Sequence, residues 1–187
     1  MRLLLILFTL LASSGAATFS NCDTTQIATL ETAIDRATNK SYAAVDHLEA
    51  NPNGSEVQTR WYGTFSTTRY NKILTAFKKF APDLATKFNY DCSCQSDIVI
   101  ATPSNTYGHV DICSVYFKTS VVPATGHRSQ WDTLVHEATH FRDVLGTTDS
   151  GYGVEACLKF AQDDPDKAVN NADNHARFAV EVPPFGP

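Results

Sequence analysis

Beyond its first seventeen residues, the chain of 187 has no long apolar run, so nothing further along reads as a membrane span. Basic clusters are missing too. Lys and Arg number 15 against 20 Asp and Glu, a formal net charge of −5, and a mildly acidic chain without a basic patch is a poor ligand for nucleic acid. There are no internal repeats and no low-complexity tracts, which leaves a single α+β domain. Cysteine is scarce and odd in number: Cys22, Cys92, Cys94, Cys113 and Cys157. The C-x-C at Cys92 and Cys94 has no second pair to complete a metal site, so a zinc-ribbon reading is weak.

What is present begins with MRLLLILFTLLASSGAA. Arg2, the apolar run from Leu3 to Leu11 and the small residues after it read as a secretory signal peptide, cleaved after Ala16 or Ala17. We therefore expect residues 1–17 to be a leader and residues 18–187 to be the functional domain, exported and free of the membrane after cleavage. Loss of Arg2, with no acid in the leader, takes the charge from −5 to −6. An exported chain meets an oxidising environment, so an even subset of the cysteines should pair. Cys92 and Cys94 face opposite ways on an extended segment, and each needs its own partner. Asn39-Lys-Ser and Asn53-Gly-Ser are glycosylation sequons.

Hydrophobic spacing predicts a helix from 24 to about 50, ended by NPNG, and a second from about 67 to 81, stopped by Pro82. The segments KFNYDC, DIVIATP and GHVDICSVYF are short and β-prone, and predict a small, mostly antiparallel sheet between Lys87 and Lys118. Helical signals return with Ser129 or Asp132 as a cap before WDTLVHEATHFRD, then over 154–161, and again from Asp164 with Pro165 at the first helical position.

LVHEATHFRDVLGTTDSGYG, residues 134–153, carries the chemistry. His136 and His140 lie one helical turn apart, about 6 Å along the axis, so both imidazoles can converge on one ion. Glu137 stands beside them as a general base for an attacking water. A catalytic zinc needs a third protein ligand. Position 146, where a third histidine would follow in the long helical spacing, is Gly146. Asp143 lies far along the axis, and Glu155 needs the next helix to fold back. Asp149 follows a Gly-Thr-Thr turn that can return beneath the histidines, with Gly151 and Gly153 easing close approach. We take Asp149 as the third ligand.

HEATH followed by GTTDSGYG resembles the aspzincin, or deuterolysin-type, zinc metallopeptidases, whose signature is HExxH plus GTxDxxYG. The likeness extends over TFSNC, RWYGTFSTTRYN, YDCSC, VDIC and DPDKAVNNADNHARF, the last closest to fungal peptidyl-lysine metalloendopeptidases. It implies a zincin-like α+β fold with one zinc ion on His136, His140 and Asp149, Glu137 as base, and Tyr152 as a hydroxyl that stabilises the oxyanion. It also implies disulfides Cys22–Cys92 and Cys94–Cys113, with Cys157 free and buried.

The resemblance further implies a secreted endopeptidase that hydrolyses peptide bonds with a zinc-activated water, acting as a monomer on proteins or peptides. In the lysine-specific branch acids near the last helix attract the ammonium of the residue after the cleaved bond. Asp173 matches one such acid. The second is replaced by Ala176, followed by Arg177, so a weakened lysine preference is expected. His47, His109, His127 and His175 lack partner spacing and read as structural or surface residues. Two other readings compete: an inactive relative serving as a secreted binding protein, and a zinc hydrolase of non-peptide bonds. A binder has no need of the base, and Glu137, Asp149 and Tyr152 are all in place.

Overall fold

The structure is a computed structural model that describes residues 15–121 and 128–183. Most of the leader segment therefore lies outside the described residues, as does His127. Among the described residues no helix is long and apolar enough to cross a membrane.

The longest helix, α1 (Thr24–Ala50), opens with a capping box in which Asp23 accepts from the Thr25 and Gln26 amides and the Gln26 side chain returns to Asp23. Its apolar stripe, Leu30, Ala33, Ile34, Ala37, Ala44, Val45 and Leu48, is buried. Against it packs α3 (Thr67–Leu84), which buries Ile73, Ala76, Phe77, Phe80, Ala81 and Leu84. Pro82 does not stop this helix as expected. It sits in the last turn, where Asp83 is bound by Lys79, Lys87 and Tyr107 and where Leu84 gains complete burial. A short helix, α2 (Glu56–Tyr62), fills the gap after NPNG with Ser55 as its cap. It ends at Gly63, whose φ of 72° and close approach to the Ala161 carbonyl leave no room for a side chain.

The sheet has four strands in the order β1-β2-β4-β3: β1 (Thr18–Ser20), β2 (Asn89–Cys94), β3 (Ala101–Pro103) and β4 (His109–Cys113). The expected antiparallel bias is not found. β1 and β4 both run parallel to β2, and only β3 and β4 are antiparallel. For β1 and β2 the reason is the N-terminal segment, which enters the sheet before the helices, so the chain returns to β2 through a helical crossover. β2 and β4 are parallel because the chain between them passes through β3, which runs antiparallel to β4 at the edge. SVYF, expected as strand, is a 3-10 turn at Ser114–Lys118.

One face of the sheet buries Tyr90, Cys92, Val110 and Ile112 against the helices. Disulfides join Cys22 to Cys92 and Cys94 to Cys113, leaving Cys157 free and buried, as the resemblance implied. The second bridge spans β2 and β4 where their register shifts.

The C-terminal half supplies α4 (Gln130–His140), α5 (Gly153–Asp163), α6 (Pro165–Val169) and α7 (Ala172–Glu181). Asp164 caps α6 through the Lys167 amide, with Pro165 at its first position. α4 packs against both α1 and α7 and lies at the centre of the molecule.

Candidate metal centre and cleft

α4 is held by a second capping box. The Ser129 hydroxyl accepts from the Asp132 amide, and the Asp132 carboxylate accepts from the Ser129 amide at 2.7 Å. Every residue from Gln130 to Thr139 is buried. Its hydroxyls therefore bond within the helix, Thr133 to the Ser129 carbonyl and Thr139 to the His136 carbonyl, both at 2.7 Å.

The helix ends at His140, three residues before the expected Asp143. Phe141 turns into the core, where its ring meets Phe88 and Tyr107 edge-on at 5.5 and 5.3 Å. The Phe141 carbonyl then collects the amides of Val144, Leu145 and Gly146, and Gly146 takes a φ of 66° to reverse the chain. The returning strand is fixed on both sides. The Thr147 amide donates to the Thr139 carbonyl, the Thr148 amide to the Asn170 carbonyl, and the Ala172 amide to the Thr148 carbonyl.

This return sets Asp149 beneath the histidines. His136 Nε2 is 2.9 Å from Asp149 Oδ1 and 3.1 Å from His140 Nε2, and His140 Nε2 is 3.4 Å from the same carboxylate oxygen. Tetrahedral zinc with bonds of ~2.0–2.1 Å separates its ligands by roughly 3.3 Å, so this donor set fits such an ion. The second contacts agree. His140 Nδ1 donates to the Thr147 carbonyl at 2.9 Å, which leaves its Nε2 lone pair pointing into the cluster. Burial alone would raise the Asp149 carboxylate, but hydrogen bonds from His136 and His140 outweigh it and hold the group well below the usual range. Asp143 and Glu155, the other carboxylates weighed for the third place, are exposed and outside this cluster.

Glu137 retains 3 % of its surface and faces the same space, with Oε2 4.0 Å from His140 Nε2. Burial raises its carboxyl above the ordinary value, against the pull of His136, His140 and Arg128. Tyr152 is exposed and lies over the cluster, its ring stacked on His136 at 6.0 Å. Burial and Asp149 push its phenol up to about 12, so the hydroxyl remains a donor. These groups open onto a cleft of about 650 Å³. Its far side is formed by residues 98–103, which include the outer edge of β3.

Asp173 is placed differently from the expectation. It does not line the cleft but sits behind His136 with no exposed surface. Its Oδ2 accepts from the Gly153 amide at 2.6 Å and from Arg177 Nε at 3.3 Å, while Oδ1 faces Arg128 Nε at 3.5 Å and His136 Nδ1 at 3.7 Å. Ala176 is buried in α7.

Sequence spacing did not reveal Arg128. It precedes the cap of α4, and its guanidinium carbon lies 4.5 Å over the Tyr152 ring, with Nη2 3.0 Å from His136 Nδ1. His47 bonds Ser55, and His175 bonds Tyr62 and the Val169 carbonyl, so both are structural as expected. His109 is joined by Asp91 and Asp111 on the outer face of the sheet, a juxtaposition set by strand register and invisible in the sequence.

Against this geometry, comparison with known proteins is specific. The aspzincin family, described as lysine-specific metallo-endopeptidase, is matched over residues 47–180. A peptidyl-Lys metalloendopeptidase from Pleurotus ostreatus is 32 % identical over 89 % of the chain and 98 % of its own length. An extracellular protease from Aeromonas hydrophila is 37 % identical over 92 % of the chain, which spans 49 % of that protein. Among solved structures, a zinc peptidase from Grifola frondosa superimposes with a TM-score of 0.77 at 31 % identity, covering 84 % of this chain and 96 % of its own. Family match, relatives and fold agree: the chain belongs to the aspzincin family and is a zinc metalloendopeptidase.

Proposed function

We propose that residues 18–187 form a secreted endopeptidase that holds one zinc ion on His136, His140 and Asp149. The observation that carries this reading is the convergence of those three donor atoms within 3.4 Å of one another beside a cleft lined by His136, Asp149 and Glu137. When bound there, zinc supplies a Lewis acid that polarises a carbonyl and lowers the pKa of water. Glu137 takes the proton from the attacking water, for which its burial and raised pKa suit it, and returns that proton to the leaving amine. The Tyr152 hydroxyl donates to the oxygen on which negative charge develops. The Thr147 carbonyl fixes the His140 ring in the tautomer that leaves Nε2 open. Export is supported by the leader-like first seventeen residues and the two disulfides.

We do not extend a lysine preference to this chain. Asp173, the acid on which it would rest, is buried and bonded to Arg177 and the Gly153 amide, and Ala176 offers no second carboxylate. Metal analysis combined with chelator-sensitive hydrolysis of casein tests the reading. One zinc per chain and cleavage abolished by chelator are expected; chelator-resistant cleavage would overturn it.

A further inference from the structure

Two guanidiniums, Arg128 and Arg177, line the cleft that holds His136 and Glu137. The acids that accompany them are turned inward. Asp173 has no exposed surface and is approached through Nε of each arginine, at 3.5 and 3.3 Å. Asp132 is buried in the first turn of α4, bonded to the Ser129 amide, and does not line the cleft. Apart from Glu137 and Asp149, committed to the base and the metal cluster, no carboxylate among the described residues lines this cleft. The arrangement is therefore polar: Asp173 lies inside, the partly exposed Arg128 guanidinium faces the substrate space, and Arg177 is buried behind it. An arginine held through Nε by a buried acid keeps a fixed plane, and with Arg128 Nη2 against the His136 ring its Nη1 is the donor left to meet a carboxylate. Arg128 is further fixed by the Tyr152 ring beneath it, 4.5 Å away. An ammonium entering here would meet the Arg128 guanidinium, with the charge of the buried Arg177 behind it.

We propose that the cleft selects peptides carrying a carboxylate beside the scissile bond, read by Arg128 with Arg177 behind it. This rests on the reading of the cleft as a peptide-hydrolysing site. The carboxylate belongs either to an Asp or Glu side chain or to a free C-terminus; the recognition chemistry is shared. The far side of the cleft is compatible with it. Residues 98–103 present an edge strand, exposed Ile98 and Val99, and no charge of either sign to compete for the carboxylate.

The test uses the zinc-loaded secreted protein and peptide sets that differ only in Glu, Gln or Lys at positions flanking the cut. Each set is made with an amidated and with a free C-terminus. At one flanking position kcat/KM for Glu should exceed that for Gln by about tenfold or more, with Lys below both. Discrimination that persists in amidated peptides assigns the carboxylate to a side chain; discrimination confined to free ends assigns it to the terminus. Arg128→Ala should bring the Glu-to-Gln ratio close to one, and Arg128→Lys should restore part of it, which a merely structural arginine would not do. Equal turnover of all charge types, enrichment of Lys, or an unchanged ratio in Arg128→Ala would overturn the inference. Calorimetric binding of the same peptides to Glu137→Gln separates this from the peptidase reading. Selective binding without hydrolysis by the wild-type protein leaves the inference standing and removes the peptidase, and hydrolysis without selectivity does the reverse.

Discussion

On the inner wall of the cleft His136 and Glu137 keep 1 % and 3 % of their surface, whereas on the outer wall Ile98 keeps 90 %. The inner wall is assembled from α4, the return through Thr147 and Thr148, and α7, each tied to the next by backbone and side-chain hydrogen bonds. The outer wall is a three-residue edge strand and its approach, bonded on one side only. Chemistry that needs groups held within half an ångström sits on the rigid side. Contact with varied peptide sequence falls to the side with spare surface and an unpaired edge, where an extended chain can add as a strand. Four substitutions probe this division, beginning with the inner wall.

The largest expected effect is on turnover. Glu137→Gln keeps the shape of the buried wall and the three donor atoms, so zinc content should stay near wild type while kcat/KM falls by at least ~10²–10⁴-fold. Activity within tenfold of wild type would remove Glu137 from the proton path. Asp173→Asn comes next, and its readout is folding. The variant leaves Arg177 and Arg128 facing a neutral amide in a buried site, and breaking a buried pair on one side costs about 3–5 kcal/mol. A large drop in the denaturation midpoint is expected, with no gain or loss of lysine selectivity. An unchanged midpoint with altered lysine turnover would move Asp173 from the inner wall into the pocket.

These two residues also mark what the sequence made legible. Glu137 is given by HExxH because helix periodicity is local, and Asp149 because GTTDSGYG states its own turn. The resemblance matches Asp173 to an acid that binds the substrate ammonium, but the direction of its side chain depends on how α7 packs against α4, and no local pattern encodes that. Arg128 was missed for the same reason. Its place follows from the angle at which the chain enters the α4 cap. In the fold, α1, α3 and the Asp164 cap were readable from spacing and end signals. α2 was not, since seven residues give too few turns for periodicity. Three of the four strands fall in the expected segment between Lys87 and Lys118, while β1 lies outside it and the pairing differs. Strand direction is decided by the connections, helical between β1 and β2 and passing through β3 between β2 and β4, and not by the strands themselves.

A pH-dependent change should expose how far the inner wall relies on burial. His175 in α7 is enclosed, and burial holds its pKa down to about 4, against the pull of the Val169 carbonyl and with some help from His136 and His140. The unfolded chain binds a proton below about 6.5 and the folded chain does not until about 4, so stability declines as pH falls across that window and is fully present above it. The shift corresponds to about 3 kcal/mol at its full extent. Urea denaturation between pH 7 and pH 4 should show this slope, and His175→Gln, which cannot take the proton, should flatten it. An identical slope in the variant would assign the acid sensitivity to other groups.

The smallest expected effect belongs to the outer wall and is the one that defines it. Ile98 touches almost nothing in the folded chain, so Ile98→Ser should shift stability by no more than about 0.5 kcal/mol. An apolar side chain beside the cleft still has a use if a bound peptide covers it. Removing a partly covered isoleucine forfeits about 1 kcal/mol of burial, roughly a fivefold loss of binding. Because that contact lies away from the reacting bond, ground state and transition state lose it equally, and the loss should appear in KM with kcat intact. Steady-state kinetics on a peptide spanning the cut site, set beside a thermal melt, distinguish the cases. A higher KM at constant kcat and constant melting temperature makes residues 98–103 a substrate-contacting wall. A fall in kcat would mean that Ile98 takes part in positioning the reacting groups, and the division of labour between the two walls would have to be withdrawn.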